Sequence, residues 1–309
     1  MKGQAVLWTA VGIGITLLCL LGIGWLGPSG AFLNLLTPLA AAYLSMRFGL
    51  RQGIVVVVVT SVLLIQLTTT YTLVAYLCLF GIGSLLLPYC LRQKLPWDRS
   101  VLYASLGGAL VSAVLVSAAL LITGSSLPGL IDQVIQVEVD QAMQVYRDAG
   151  FAADQLEEMQ KITESLAEFI DKSFYGLYLA ALLVVQALTL VLLYGLKGKH
   201  YQLSGPVFAQ WRLPAGLIWV LIAAGFALLV PLAPLALLGR NLLVVLLPLY
   251  FFQGMAVVNS YLRQKPYPFM VKGVIYVLLL ILNPLPIIVT SVGIFDLWVD
   301  FRRPRHNRA

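Results

Sequence analysis

The sequence predicts an all-α, polytopic membrane protein of about eight spans, ending in a broken helix or hairpin. Three observations predict it. Of 309 residues, 60% are hydrophobic and 11% charged, whereas soluble domains average about 45–50% and about 25%. Apolar runs of roughly 20 residues, the length that crosses a bilayer, recur along the chain. The charge is also sorted by position: ten of the thirteen acidic residues fall within residues 124–174.

Taken in order, runs 5–26, 71–91, 101–122, 174–196, 214–235 and 241–262 are long enough to span. Runs 31–46 and 53–67 flank Arg47-Phe48-Gly49-Leu50-Arg51. Each reaches only about 24 Å at 1.5 Å per residue, so they must borrow flanking residues, thin the bilayer or pack inside the bundle. The last apolar stretch, 269–298, is interrupted by Asn283-Pro284-Leu285-Pro286. Each proline removes a backbone donor and disfavours helix at the residue before it. The domain reading is a five-span bundle over 1–123, acidic helices over 124–173, a second membrane bundle over 174–298 and a basic tail over 299–309.

Orientation follows from the connections. Residues 124–174 hold ten acidic residues against Arg147, Lys161 and Lys172, a formal charge of −7, and the remainder holds 17 Lys and Arg against Asp98, Asp296 and Asp300, or +14. With the N-terminus cytoplasmic, the positive-inside rule places Arg47 and Arg51, then Arg92, Lys94 and Arg99, then Lys197, Lys199 and Arg212, then Arg263, Lys265 and Lys272 on one side. The connections at 27–30 and 68–70 carry no charge. A single ninth span would put Arg302, Arg303, Arg305 and Arg308 outside, so two short helices hinged at the Asn-Pro-Leu-Pro break are the favoured reading of 269–298. The expected partners are the lipid bilayer, with anionic headgroups at the cytoplasmic face, and a membrane protein. Basic residues come in twos and threes rather than as a stripe, which argues against nucleic acid.

The acidic segment has the spacing of two amphipathic helices. Ile131, Val134, Ile135, Met143 and Tyr146 precede a break at Gly150, and Leu156, Met159, Ile162, Leu166 and Phe169 follow at intervals of three and four. Asp154 is the expected N-cap, with Glu157 completing a capping box. These helices either cover the bundle or membrane surface, close a cavity as a lid, or dock a partner.

No catalytic signature is present. The chain lacks His-Glu-x-x-His, Gly-x-Ser-x-Gly and Walker-type loops, has only His200 and His306, and holds Cys19, Cys78 and Cys90 as singletons. The expectation is no enzyme, no metal, no cofactor and no disulfide. Ionisable residues are missing from the span interiors apart from end positions such as Arg240, Lys272 and Asp296, which argues against ion-coupled transport. Uncharged polar residues remain. Asn34, Thr37, Gln66, Gln253 and Asn283 are the candidate ligand-binding residues, because amides and freed carbonyls beside Pro38 and Pro284 can line a site. Interhelical hydrogen bonding is the alternative role for each. The candidate packing ridges are Ser105, Ala109, Ala113 and Ser117, with Ala104, Gly108 and Ser112 beside them, and Ala10 and Gly14.

Arg47-Phe48-Gly49-Leu50-Arg51, the acidic insert, Phe251-Phe252-Gln253-Gly254 and the ending Gly293-Ile294-Phe295-Asp296-Leu297-Trp298-Val299-Asp300-Phe301-Arg302 together resemble the YybS-like bacterial integral membrane proteins, a family without an assigned function. The resemblance implies a multi-pass protein of the bacterial inner membrane and brings no catalytic residues. Pro38 followed by Gly49 and Gly53 also resembles the substrate-capture subunits of energy-coupling-factor transporters, from which the spans after Leu196 depart. Two functions are therefore expected: a non-enzymatic scaffold or regulator, or a substrate-binding membrane subunit of a transporter.

Overall fold

Long apolar runs satisfy their backbone polar groups internally only as helices when no water is available. The computed structural model, which describes residues 2–26 and 30–302, is helical throughout, with no strand among the described residues. Residues 27–29 of the first uncharged connection, and the tail residues Arg303, Arg305, His306 and Arg308, lie outside the described residues.

The helices are α1 (Lys2–Leu26), α2 (Ala31–Asn34), α3 (Thr37–Phe48), α4 (Leu50–Leu67), α5 (Thr70–Tyr76), a π-helical turn (Leu77–Gly81), α6 (Gly83–Arg92) and α7 (Trp97–Thr123). They continue as α8 (Leu127–Asp148), α9 (Ala153–Leu196), a 3₁₀ turn (Phe208–Gln210), α10 (Leu217–Ala227), α11 (Ala233–Arg263), α12 (Phe269–Ile281) and α13 (Leu285–Val299). Among the described residues, six helical stretches are long and apolar enough to cross a membrane, or seven if α12 and α13 form one bent span.

That count differs from the expected eight for two local reasons. Run 31–46 divides into α2 and α3, with Pro38 in the first turn of α3. Run 214–235 yields only the 11-residue α10, because the chain breaks before Leu232 and α11 begins at Ala233 with Pro234 in its first turn. Proline suits a first turn, where its missing N–H costs nothing, whereas in later turns it removes a helical bond and crowds the preceding turn. The break expected in 269–298 falls at residues 282–284, and α12 and α13 meet at 96°.

The chain divides into two units, Met1–Leu127 with Ala181–Gly205, and Pro128–Ala180 with Pro206–Ala309. In the first, α1, α3, α4, α6 and α7 pack around Leu44, Val56, Leu64, Leu87 and Leu193, all nearly inaccessible. Glycines set the approach: a Cβ on Gly12 would lie 2.7 Å from Leu44 Cδ1, and one on Gly53 would lie 2.8 Å from the Ala41 carbonyl. The packed face of α1 is therefore Thr9, Gly12, Thr16 and Cys19. Ala10 and Gly14, expected to pack, are exposed, and a Cβ on Gly14 meets nothing within 4 Å. On α7, Ser105 is buried and Ala109 half-buried, while Ala113 and Ser117 face outward. Ala104, Gly108 and Ser112 complete the buried face. In helices apolar on every side, small residues recur on more than one face, so spacing alone does not choose between them.

Basic connections gather at one end of this unit. The Arg47 guanidinium stacks over Trp8 at 5.2 Å, and Arg92 Nη1 donates to the Ser45 and Met46 carbonyls. Trp97 N–H donates to the Ser204 carbonyl. The starts of α1 and α7, the ends of α3 and α6, and the segment after α9 thus share one level. In the π-helical turn, Ile82 N–H reaches back five residues to Leu77. The Cys78 carbonyl accepts from Ser112 Oγ of α7 at 3.3 Å.

The second unit is built on α11. A Cβ on Gly254 would lie 1.9 Å from the Val289 carbonyl, and one on Gly293 2.0 Å from the Tyr250 carbonyl, so α11 and α13 cross backbone to backbone. Gly239 allows the same against α10 at Ala224, and Gly176 against Asn241. Asn241 fixes α9 from both sides: its Oδ1 accepts from Gly176 N–H at 2.6 Å, and its Nδ2 donates to the Lys172 carbonyl at 2.9 Å. Small-residue crossings of this kind are how helices associate when lipid is as apolar as their side chains.

Candidate functional site

Two features of the second unit concentrate charge. The first is the acidic hairpin α8–α9. Gly150, at φ 79°, turns the chain in the left-handed region that glycine favours, and Tyr146 and Phe151 pack edge to face across the turn. The cap of α9 differs from the expected Asp154–Glu157 box. The Ala152 carbonyl accepts the first helical bond, from Leu156, and Gln155 Oε1 reaches back to Ala152 N–H at 3.0 Å. Asp154 instead lies in the first turn, where its charge favours the helix dipole.

Ile131 and Met143 are buried, and Leu156 and Met159 half-buried, as their spacing predicts. Ile162, Leu166 and Phe169 instead face outward, at 53%, 56% and 43% exposure. Half-buried Thr163, Ala167 and Ile170 continue the inward face beside Leu156 and Met159. A groove of about 510 Å³ runs between α8 and α9, lined by Asp132, Asp140, Glu164, Glu168 and Asp171, with Arg147 opposing them. Along α9, at 3.6 residues per turn, the exposed apolar trio lies on the side roughly opposite Glu164 and Glu168. Surface pairs Lys161–Glu157 and Lys172–Glu168 brace α9. The Lys172 ammonium holds the Glu168 carboxyl below its usual range.

The second feature is an ion-paired knot joining the segment before α10, α11 and the end of α13. Asp296 on α13 is wholly inaccessible. Its Oδ2 lies 2.9 Å from Arg302 Nη2 and 3.8 Å from Arg212 Nε. Arg302, with 8% of its side chain exposed, also donates through Nη1 to the Ala209 and Trp211 carbonyls at 3.0 and 2.8 Å. Arg212 pairs with Asp300, which ends α13 in the left-handed region at φ 48°. Tyr261 Oη donates to the Phe301 carbonyl at 2.6 Å, tying this end to α11. Burial lowers the Arg302 pKa and the Asp296 carboxylate opposes that shift; a guanidinium stays charged regardless.

Gln253 completes the join. Its Oε1 accepts from Leu213 N–H and its Nε2 donates to the Gly293 carbonyl, both at 2.9 Å. Of the candidate ligand residues it is therefore engaged in interhelical hydrogen bonds. Gln66 and Asn283 are exposed. Asn34 and Thr37 sit at the α2–α3 break in the first unit, each with a buried side-chain oxygen lacking a hydrogen-bond partner among the described residues. Gln66 belongs to that unit too, whereas Gln253 and Asn283 belong to the second. Sequence reasoning read Asp296 only as a span-end residue and missed the knot. Its signal was Asp296 and Asp300, the only acidic residues after the hairpin in the sequence, followed at an interval of two by Arg302.

Gln186, another uncharged polar residue within a span, is 1% exposed and fills the space a Gly83 Cβ would take, with no hydrogen-bond partner for either amide atom among the described residues. Cys19, Cys78 and Cys90 are buried and form no disulfide among the described residues.

The family described as "Predicted membrane protein (DUF2232)" matches residues 14–297. No curated protein and no solved structure matches the chain.

Proposed function

We propose that this chain, which belongs to the DUF2232 family of predicted membrane proteins, is a non-enzymatic scaffold or regulator that docks a basic segment of a protein partner on the acidic hairpin α8–α9. On this reading the protein lies in a bacterial inner membrane with its N-terminus and basic connections cytoplasmic, facing anionic headgroups, and the hairpin outside. The resemblance to YybS-like proteins also implies the bacterial inner membrane, and the orientation follows from the basic connections.

The observation that carries the reading is the exposed stripe Ile162, Leu166 and Phe169 on a segment of formal charge −7. An exposed apolar stripe calls for a cover. Anionic lipid is repelled by carboxylates, since interfacial helices use basic faces, and a second copy would bring the same charge. A basic protein segment answers both the stripe and the negative charge of the segment that carries it. The helix that carries the stripe, α9, has 44 residues, more than the roughly 20 that a bilayer core needs.

A photo-crosslinker at position 166, irradiated in cells, tests this. The expected product is a complex with a different protein, mapped to a basic segment and lost in a Glu164→Lys/Glu168→Lys variant. Crosslinks only to lipid or to a second copy would contradict it.

A substrate-binding membrane subunit is the second reading. It is favoured by the unpartnered buried oxygens of Asn34 and Thr37 beside Pro38. A small molecule retained in native mass spectrometry and lost on Thr37→Val would support it, and an empty protein would oppose it.

A further inference from the structure

Beside the ion-paired knot lies a cleft of about 370 Å³, lined by Ala209, Gln210, Arg212, Ser260, Arg263 and Arg302. Half of its lining is arginine. The knot's own carboxylates, Asp296 and Asp300, number two against these three guanidinium groups, so one positive charge is left over.

The donors are also incompletely used. Arg302 spends Nη1 on two carbonyls and meets Asp296 through Nη2, yet its buried Nε finds no hydrogen-bond partner among the described residues. Buried polar groups are almost always bonded, and an unmet charged donor is among the costliest exceptions. Arg263, the exposed last residue of α11, makes no ion pair within 4 Å among the described residues. Guanidinium forks match the oxygen spacing of phosphate better than an ammonium does, and the cleft volume suits a small ligand group. The carbonyl ends of α11 and α13 carry partial negative charge that works against an anion. Binding therefore rests on directed guanidinium bonds rather than on net charge.

We infer that this cleft binds a phosphoryl group, held by Arg212 and Arg263 beside the Arg302 guanidinium. Two sources share this chemistry, the phosphodiester of an anionic phospholipid and a free phosphate. The site is independent of the hairpin and of the docking role proposed for it.

Thermal unfolding of the full chain in a neutral detergent tests the inference, with three additions: inorganic phosphate, phosphatidylglycerol in mixed micelles, and sodium chloride at matched ionic strength. Phosphate or phosphatidylglycerol should raise the melting temperature by several degrees and chloride should not. A rise with phosphate alone assigns a soluble ligand, and a rise with the lipid alone assigns a headgroup. Arg263→Gln, outside the knot, should melt like the unmodified protein without ligand and lose at least half of the ligand-induced rise. No rise with either probe, an equal rise with chloride, or an undiminished rise in Arg263→Gln would each overturn the assignment.

Discussion

Replacing Asp296 by asparagine removes one charge from a position with no solvent access and changes its shape hardly at all. What it leaves behind decides the outcome. Arg302, 8% exposed, loses the carboxylate 2.9 Å from its Nη2, and Arg212 loses a neighbour at 3.8 Å while keeping Asp300. Arg302 cannot neutralise itself, since a guanidinium does not deprotonate in proteins. Removing one partner of a buried pair costs about 3–5 kcal/mol, mostly from the stranded charge. At about 2–4 °C per kcal/mol for a unit of this size, the melting temperature should fall by roughly 6–20 °C. Tryptophan fluorescence on detergent-solubilised protein, with Trp211 beside the knot, reads it. Pairing Asp296→Asn with Arg302→Gln should then cost less than the two single losses added together, by about 1 kcal/mol or more. A fall of under about 2 °C for Asp296→Asn, or strictly additive losses, would refute the claim that the knot is a coupled buried ion pair.

Three more outcomes follow from the packing. Gly254→Ala places a methyl 1.9 Å from the Val289 carbonyl, a backbone atom that cannot turn away. It should cost at least the 1–3 kcal/mol typical of overpacking, roughly, seen as a lower melting temperature or an aggregated size-exclusion profile. Gly14→Ala, with open space around it, should be neutral or stabilising by up to about 1 kcal/mol in the same assay. Gln253→Leu strands the Leu213 N–H, while the Gly293 carbonyl keeps its bond within α13. It should cost about 1–3 kcal/mol for the one donor left without a partner, read by thermal unfolding against a Gln66→Leu control whose side chain is exposed.

Much of this architecture was legible because lipid leaves so few choices. Apolar runs such as 101–122 and 241–262 had to be helical, and each lies within a longer helix, α7 and α11. Where the reading failed, the contrast it depended on was missing. On α1, Gly12 and Gly14 are equally small and flanked by equally apolar residues, so only the position of Leu44 distinguishes the packed one. Prolines marked breaks correctly at residues 282–284, but Pro231 and Pro234 divided a run that hydropathy alone treats as continuous. The N-cap shifted because a glutamine two residues before the expected partner, Gln155, reaches back to Ala152. The knot was invisible for a different reason: Arg212 and Asp300 stand 88 residues apart, and no local pattern announces that separation. Gln253 was visible as a polar residue in a span, yet its partners are each 40 residues away.

Impermeant-maleimide labelling of intact bacterial cells tests the transmembrane arrangement most directly. The native Cys19, Cys78 and Cys90 are buried and can be replaced by alanine, leaving single cysteines at two exposed positions, Gln144→Cys on α8 and Lys199→Cys beyond α9. The account predicts labelling at 144 in intact cells and at 199 only after the membrane is opened. Labelling at 199 with protection at 144, or equal labelling of both in intact cells, would contradict it.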